Sequence, residues 1–131
     1  MNKNQIIILS ILKVASLFKK NTVSIFLNKN SISFILLLYK QGIIQNFFIF
    51  PSSFEKNKFK ILIYLRYYFD KSIYKNLKII SKPSMLHYVH FSDLCLIYDK
   101  KHTIFISTSK GILTNFECKL KKLGGLVLFK C

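Results

Sequence analysis

The sequence is short of acid. Five Asp and Glu stand against 21 Lys and Arg in 131 residues, a formal net charge of +16. A free protein so charged repels itself, so a polyanionic partner is expected, nucleic acid before membrane. So few acids also leave little material for paired-carboxylate or metal-centred chemistry. Arginine is nearly absent, with Arg66 the single exception among the cations, and tryptophan is missing. Abundant Lys, Ile, Asn, Phe and Tyr are the vocabulary of an AT-rich gene. Codon pressure explains which cation is used, but not why the total is high.

Cysteine is scarce too. Cys95, Cys118 and Cys131 are odd in number, no Cys-x-x-Cys occurs, and His87, His90 and His102 do not pair with them at ligand intervals. No zinc site is expected, and each cysteine reads as a small buried apolar residue in a reducing compartment. The glycines form no Walker-type phosphate loop. No uncharged run is long enough to span a bilayer: Gln41 to Phe54 contains Pro51, and Ile6 to Phe18 carries Lys13. The amino terminus lacks an Arg/Ser-rich transit-peptide composition, so an organellar protein would be expected to be made where it works.

Apolar residues make up 51% of the chain. A chain of this length buries roughly two-thirds of its unfolded surface, enough for one domain or two small lobes. Residues 5–19 read as a helix with Ile8, Leu9, Leu12 and Ala15/Ser16 on one face. Residues 22–28 read as a strand. Ser31 is expected to cap a second helix through Lys40, closed by Gly42. Strands at 44–50 and 58–69 then form a hairpin around Pro51-Ser52-Ser53. The amino-terminal lobe, 1–70, is thus α-β-α-β-β, with two helices on one face of a three-stranded sheet. Residues 70–75 read as a linker.

The carboxy-terminal lobe, 71–131, reads as mainly β with short helices, giving an α+β chain of two lobes. Strands are expected at 77–81 and 86–91, flanking Lys82-Pro83-Ser84. Ser92 is expected to cap a helix through Tyr98, and 103–107 is a strand. Ser107-Thr108-Ser109-Lys110-Gly111 follows, read as a short connection from that strand to a helix whose start, Thr114-Asn115-Phe116-Glu117, has the form of a capping box. Gly124-Gly125 then turns the chain into a last strand. Three hydroxyls, a cation and a glycine in one connection can offer donors to phosphate or ribose oxygens, with Gly111 letting the backbone come close. The same residues also suit an ordinary polar turn.

The run 107–114, Ser-Thr-Ser-Lys-Gly-Ile-Leu-Thr, followed by Leu123-Gly124-Gly125, resembles the carboxy-terminal signature of the small-subunit ribosomal protein S-eight family, bacterial type. Lys82-Pro83-Ser84 with Tyr88 resembles its basic-Pro-Gly segment and tyrosine. Gly42-Ile43-Ile44 with Phe47, and Leu65-Arg66-Tyr67-Tyr68, resemble blocks of its first lobe. The resemblance implies a protein that binds the central domain of small-subunit ribosomal RNA beside neighbouring small-subunit proteins, with no cofactor and no small-molecule substrate. It implies RNA contacts at Ser107, Thr108, Ser109, Lys110, Gly111, Tyr88, Lys82 and Pro83, with Gly124 and Gly125 allowing close approach, and further ones at Lys13 and Lys29. Departures are Ser84 for glycine, Leu126 for an acid, Lys100-Lys101-His102 for Gly-x-Gly, and Val14 after Lys13. They fit a divergent organellar member, mitochondrial and encoded there.

Individually, Lys82 reads equally as a phosphate contact and a solvated strand-end charge, and Tyr88 reads more often as a core or edge aromatic, with the family resemblance favouring an RNA role. The thirteen Phe and seven Tyr are expected mostly in the core rather than as a stacking platform. Ser107 and His102 have no orienting acid, so no catalytic residues and no metal ligands are assigned. A basic membrane-surface or protein-interaction module is the alternative. It requires a helix with a strong apolar outer face, whereas the stripes here have ordinary core width.

Overall fold

The computed structural model describes residues 3–53, 58–96 and 101–131. The chain divides into two compact units, Asn4–Lys75 and Asn76–Cys131. The first opens with α1 (Lys3–Leu17), whose buried residues Ile8, Leu9, Leu12, Ala15 and Ser16 are those its helical period selects. β1 (Thr22–Phe26) follows, then α2 (Lys29–Lys40), β2 (Ile44–Pro51) and β3 (Phe59–Leu65). The three strands form an antiparallel sheet in the order β1-β3-β2. Ile61, Ile63 and Leu65 of β3 are buried at period two. With the buried faces of α1 and α2 they supply the core of this unit.

α2 begins earlier than its hydroxyl suggested. Ser31 lies inside the first turn and is buried, while Asn28 holds the cap position without a side-chain cap bond. The far end closes as expected. Gly42, at φ 69, donates its N–H to Tyr39 O, and Ile43 donates to Leu38 O, both at 2.9 Å, the pairing of a Schellman turn.

The expected strand to residue 69 stops at Leu65. β4 (Tyr67–Tyr68) and β5 (Lys71–Ser72) pair as a second small hairpin, and a 3₁₀ turn covers Ile73–Asn76. Residues 70–75 are therefore not a linker. Tyr74 is fully buried and donates its hydroxyl to Ile43 O at 2.7 Å, which fixes this segment to the first unit.

In the second unit the early strands shrink to β6 (Lys78–Ile79) and β7 (Tyr88–Val89), both paired to β10 (Gly125–Lys130). α3 (Phe91–Leu96) contains Ser92 within its first turn, so Ser92 does not cap it. Residues 97–98 of the expected helix lie outside the described residues. β8 (Ile104–Thr108), β9 (Gly111–Thr114) and α4 (Asn115–Lys121) complete the unit, in sheet order β6-β10-β8-β9. Leu94, Ile104, Ile106, Cys118 and Val127 form its core, with Ile80, Val89 and Leu113 against it.

Candidate nucleic-acid interface

Between β8 and α4 the chain does not pass directly from strand to helix. Ile112 and Leu113 pair with Ser107 and Ile106, so the segment after Gly111 runs back as β9 before Thr114 caps α4. The connection is a hairpin whose tip is Ser109-Lys110. Two apolar residues are too few to show a period, and their partner strand is visible only in three dimensions. The capping box itself is present: Thr114 accepts from the Glu117 N–H at 3.3 Å, and the Glu117 carboxylate accepts from the Thr114 N–H at 2.9 Å.

Gly111 has φ 102 with open space where a Cβ would stand, so its need for glycine is conformational. Thr108 donates its hydroxyl to Gly111 O at 2.9 Å and accepts the Lys110 N–H at 3.2 Å. Its proton therefore braces the turn. Ser107 is half-buried, and Ser109 and Lys110 are exposed.

The register gathers what the sequence had scattered. Tyr88 lies opposite Leu126, Leu126 opposite Ser107, and Ser107 opposite Ile112. Residues directly opposite on neighbouring strands share a face. Tyr88, 69% exposed, thus stands in one row with Ser107, beside the Ser109-Lys110 tip. Leu126 and Ile112 complete the row. They were not legible as members because strand pairing, not sequence spacing, puts them there.

The two glycines serve the chain's own packing. A Cβ on Gly124 would lie 2.6 Å from Val89 O, and one on Gly125 would collide with Ser107 O. The close approach they permit is therefore between β10 and its neighbours, and that approach sets the row. Lys82-Pro83-Ser84-Met85 is an exposed tight turn closed by Lys82 N–H to Met85 O at 2.9 Å and Met85 N–H to Lys82 O at 3.0 Å. No residue in it has positive φ, so Ser84 serves where the family has glycine. Lys13 and Lys29, both exposed, belong to the first unit, on α1 and at the start of α2, and are not part of the row.

Chemically the row offers the Ser107 hydroxyl and the Tyr88 phenol, the tip adds the Ser109 hydroxyl, and lysines stand at the adjoining turns. Glu117 is engaged in the capping box. Burial pushes the Cys118 and Cys131 thiols above the ordinary range, which suppresses thiolate chemistry. Among the described residues no group of three or more His, Cys, Asp or Glu is placed to hold a metal. No described helix is long and apolar enough to cross a membrane.

A basic α+β chain that collects hydroxyl donors and lysines on one small β-sheet is built as a structural binding protein. Comparison with known proteins makes the class specific. The family model described as Ribosomal protein S8 matches residues 7–131, and the chain belongs to that family, whose members are structural, non-enzymatic proteins of the small ribosomal subunit. It is similar to the small ribosomal subunit protein uS8m of Acanthamoeba castellanii, 35% identical over 124 residues that cover 93% of each chain. It is also similar to uS8c of Drimys granadensis, 32% identical over 123 residues, 92% of this chain and 91% of the relative. With uS8 of Phytoplasma mali it shares 34% identity over 103 residues, 78% of this chain and 75% of the relative.

Proposed function

We propose that the chain binds the central domain of small-subunit ribosomal RNA through its carboxy-terminal unit and supports assembly of an organellar, mitochondrial small subunit. The observation that carries this reading is the co-facial row Tyr88–Leu126–Ser107–Ile112 ending beside the Ser109-Lys110 tip. A-form RNA offers ribose hydroxyls and phosphates across a shallow minor groove, and hydroxyl donors gathered on one sheet face suit that surface. Lys110 and Lys82, on exposed turns, reach phosphates. Lys29 stands at the start of α2, where the helix dipole disfavours a cation. A phosphate beside it would offset that cost. The AT-rich vocabulary and the similarity to uS8m support the compartment.

Neighbouring small-subunit proteins are proposed to cover the outer side of α1. That helix exposes Ile7, Val14 and Leu17, a wider apolar surface than the core-width stripe expected.

A filter-binding titration against a central-domain RNA fragment tests the reading. Ser107→Ala with Ser109→Ala removes two donors at about 1 kcal/mol each, which predicts roughly thirtyfold weaker binding with an unchanged thermal midpoint. Undiminished affinity in that double variant would exclude the row as the contact. Thr108→Ala is the control, because it loosens the turn itself.

A further inference from the structure

The hairpin of β4 and β5 turns through Phe69 at φ 47 and Asp70 at φ 59. Two consecutive positive φ values are the type I′ pattern, for which Asn-Gly is the favoured pair. Phenylalanine in the left-handed region is an outlier, because its Cβ crowds a carbonyl oxygen. Such strain persists where the surrounding structure holds it, and it concentrates at functional positions. What the strained residue delivers is a ring 83% exposed, set edge-to-face on Tyr68 with centroids 4.7 Å apart.

The aromatic distribution makes this more than one stray ring. Among the described residues only Phe34, Phe105, Phe129 and Tyr74 are buried aromatics, so the expectation of mostly core aromatics fails. Beside the hairpin, the end of α1 and the turn after it present Leu17 and Phe18, both more than two-thirds exposed. The turns are joined: the Tyr67 hydroxyl donates to Lys20 O at 2.6 Å, and Lys19, Asn21, Tyr67 and Asp70 line one shallow depression. Lys19, Lys20 and Lys71 supply positive charge here, and Asp70 is the one acid among these residues.

Exposed rings flanked by lysines suit a polyanion with flat apolar faces, since every base has a π-face and every nucleotide a phosphate. Asp70 separates the polyanions. Against anionic lipid headgroups its carboxylate only repels, whereas an exocyclic amino group on a base is a donor that a carboxylate accepts. We propose that this end of the amino-terminal unit holds an unpaired RNA base stacked on Phe69, with its exocyclic amino group on Asp70. The inference rests on the chain's place in the small ribosomal subunit, but it uses residues wholly separate from the Ser107 row.

Fluorescence anisotropy of the full chain with labelled oligocytidylate and oligouridylate, at one fixed salt concentration, tests it. The two homopolymers differ in the amino group. Oligocytidylate is expected to bind more tightly, and Phe69→Asn to weaken it about tenfold. Asn accepts the left-handed turn, so that variant is expected to melt no lower than the original chain. Asp70→Gly, equally suited to the turn, is expected to abolish the preference for cytidylate. Ser107→Ala with Ser109→Ala should leave oligonucleotide binding intact, which separates this site from the row. Equal affinity for the two homopolymers would overturn the proposal. So would Phe69→Asn binding oligocytidylate undiminished, or losing affinity only for phosphatidylglycerol vesicles.

Discussion

Tyr74 sits in the segment that composition marks as a connector, yet both hydrogen-bonding roles of its phenol are used. It donates to Ile43 O at 2.7 Å and accepts the Arg66 N–H at 3.5 Å. Tyr74→Phe would leave that carbonyl without this donor inside the first unit, a loss of about 1–3 kcal/mol that a urea melt would register. A second residue, Cys118, sets an alkaline limit. Burial chiefly, with the neighbouring Glu117 carboxylate, raises its thiol above the ordinary 9.0, while Lys121 pulls the other way. A raised pKa means the folded state holds the proton more firmly than the unfolded chain. The associated stability is fully present below the ordinary thiol range and is lost as pH rises through the raised value. Burial moves Cys131 and Tyr67 in the same direction. The thermal midpoint is therefore expected to fall above about pH 9, less steeply in Cys118→Ala, and Cys118 should react with thiol reagents only after unfolding.

Three helices end in the same way with different residues. After α1, Lys19 at φ 52 donates its N–H to Ser16 O while Lys20 donates to Ala15 O; after α4, Lys122 at φ 52 donates to Lys119 O while Leu123 donates to Cys118 O. Both repeat the turn that Gly42 makes after α2. Lysine gains from the negative end of the helix dipole but bears the left-handed strain that glycine avoids. Lys122→Gly is expected to raise stability by about 0.5–1 kcal/mol in a denaturant titration. The same contrast governs what was legible beforehand. The buried face of α1 and the Gly42 stop follow from period and from glycine, and the capping box of α4 from Thr114 and Glu117. The stop at Lys122 carries no glycine, so the sequence alone points to Gly124-Gly125 for the chain's reversal. Those glycines instead let β10 lie against Val89 and Ser107. Tyr88 and Ser107 were each legible as candidates from the family resemblance. Their meeting on one face required the register of β7, β10 and β8, which no local pattern encodes.

At the scale of the whole molecule, the net charge of +16 acts with opposite signs on folding and on binding. Crowding cations into the folded chain is repulsive, and salt screens that repulsion over a Debye length of about 8 Å near physiological ionic strength. Added salt should therefore raise the thermal midpoint of the free protein. RNA binding runs the other way, because each phosphate neutralised by a lysine releases a counterion that added salt makes harder to release. Affinity for a ribosomal RNA fragment should fall linearly on a plot of log K against log salt. If Lys110 and Lys82 each neutralise one phosphate, Lys110→Gln and Lys82→Gln should each flatten that slope by about 1. A lysine that merely faces solvent would leave the slope where it was, which makes the slope a residue-by-residue measure of RNA contact. The two salt dependences are separable in one preparation, by melting the free chain and titrating the complex over the same salt series. Together they ask whether the acid-poor composition is only a codon habit or is matched by phosphates on the partner. A lysine set by codon habit alone would still give the rising midpoint, but the RNA slope would be indifferent to which lysine was removed.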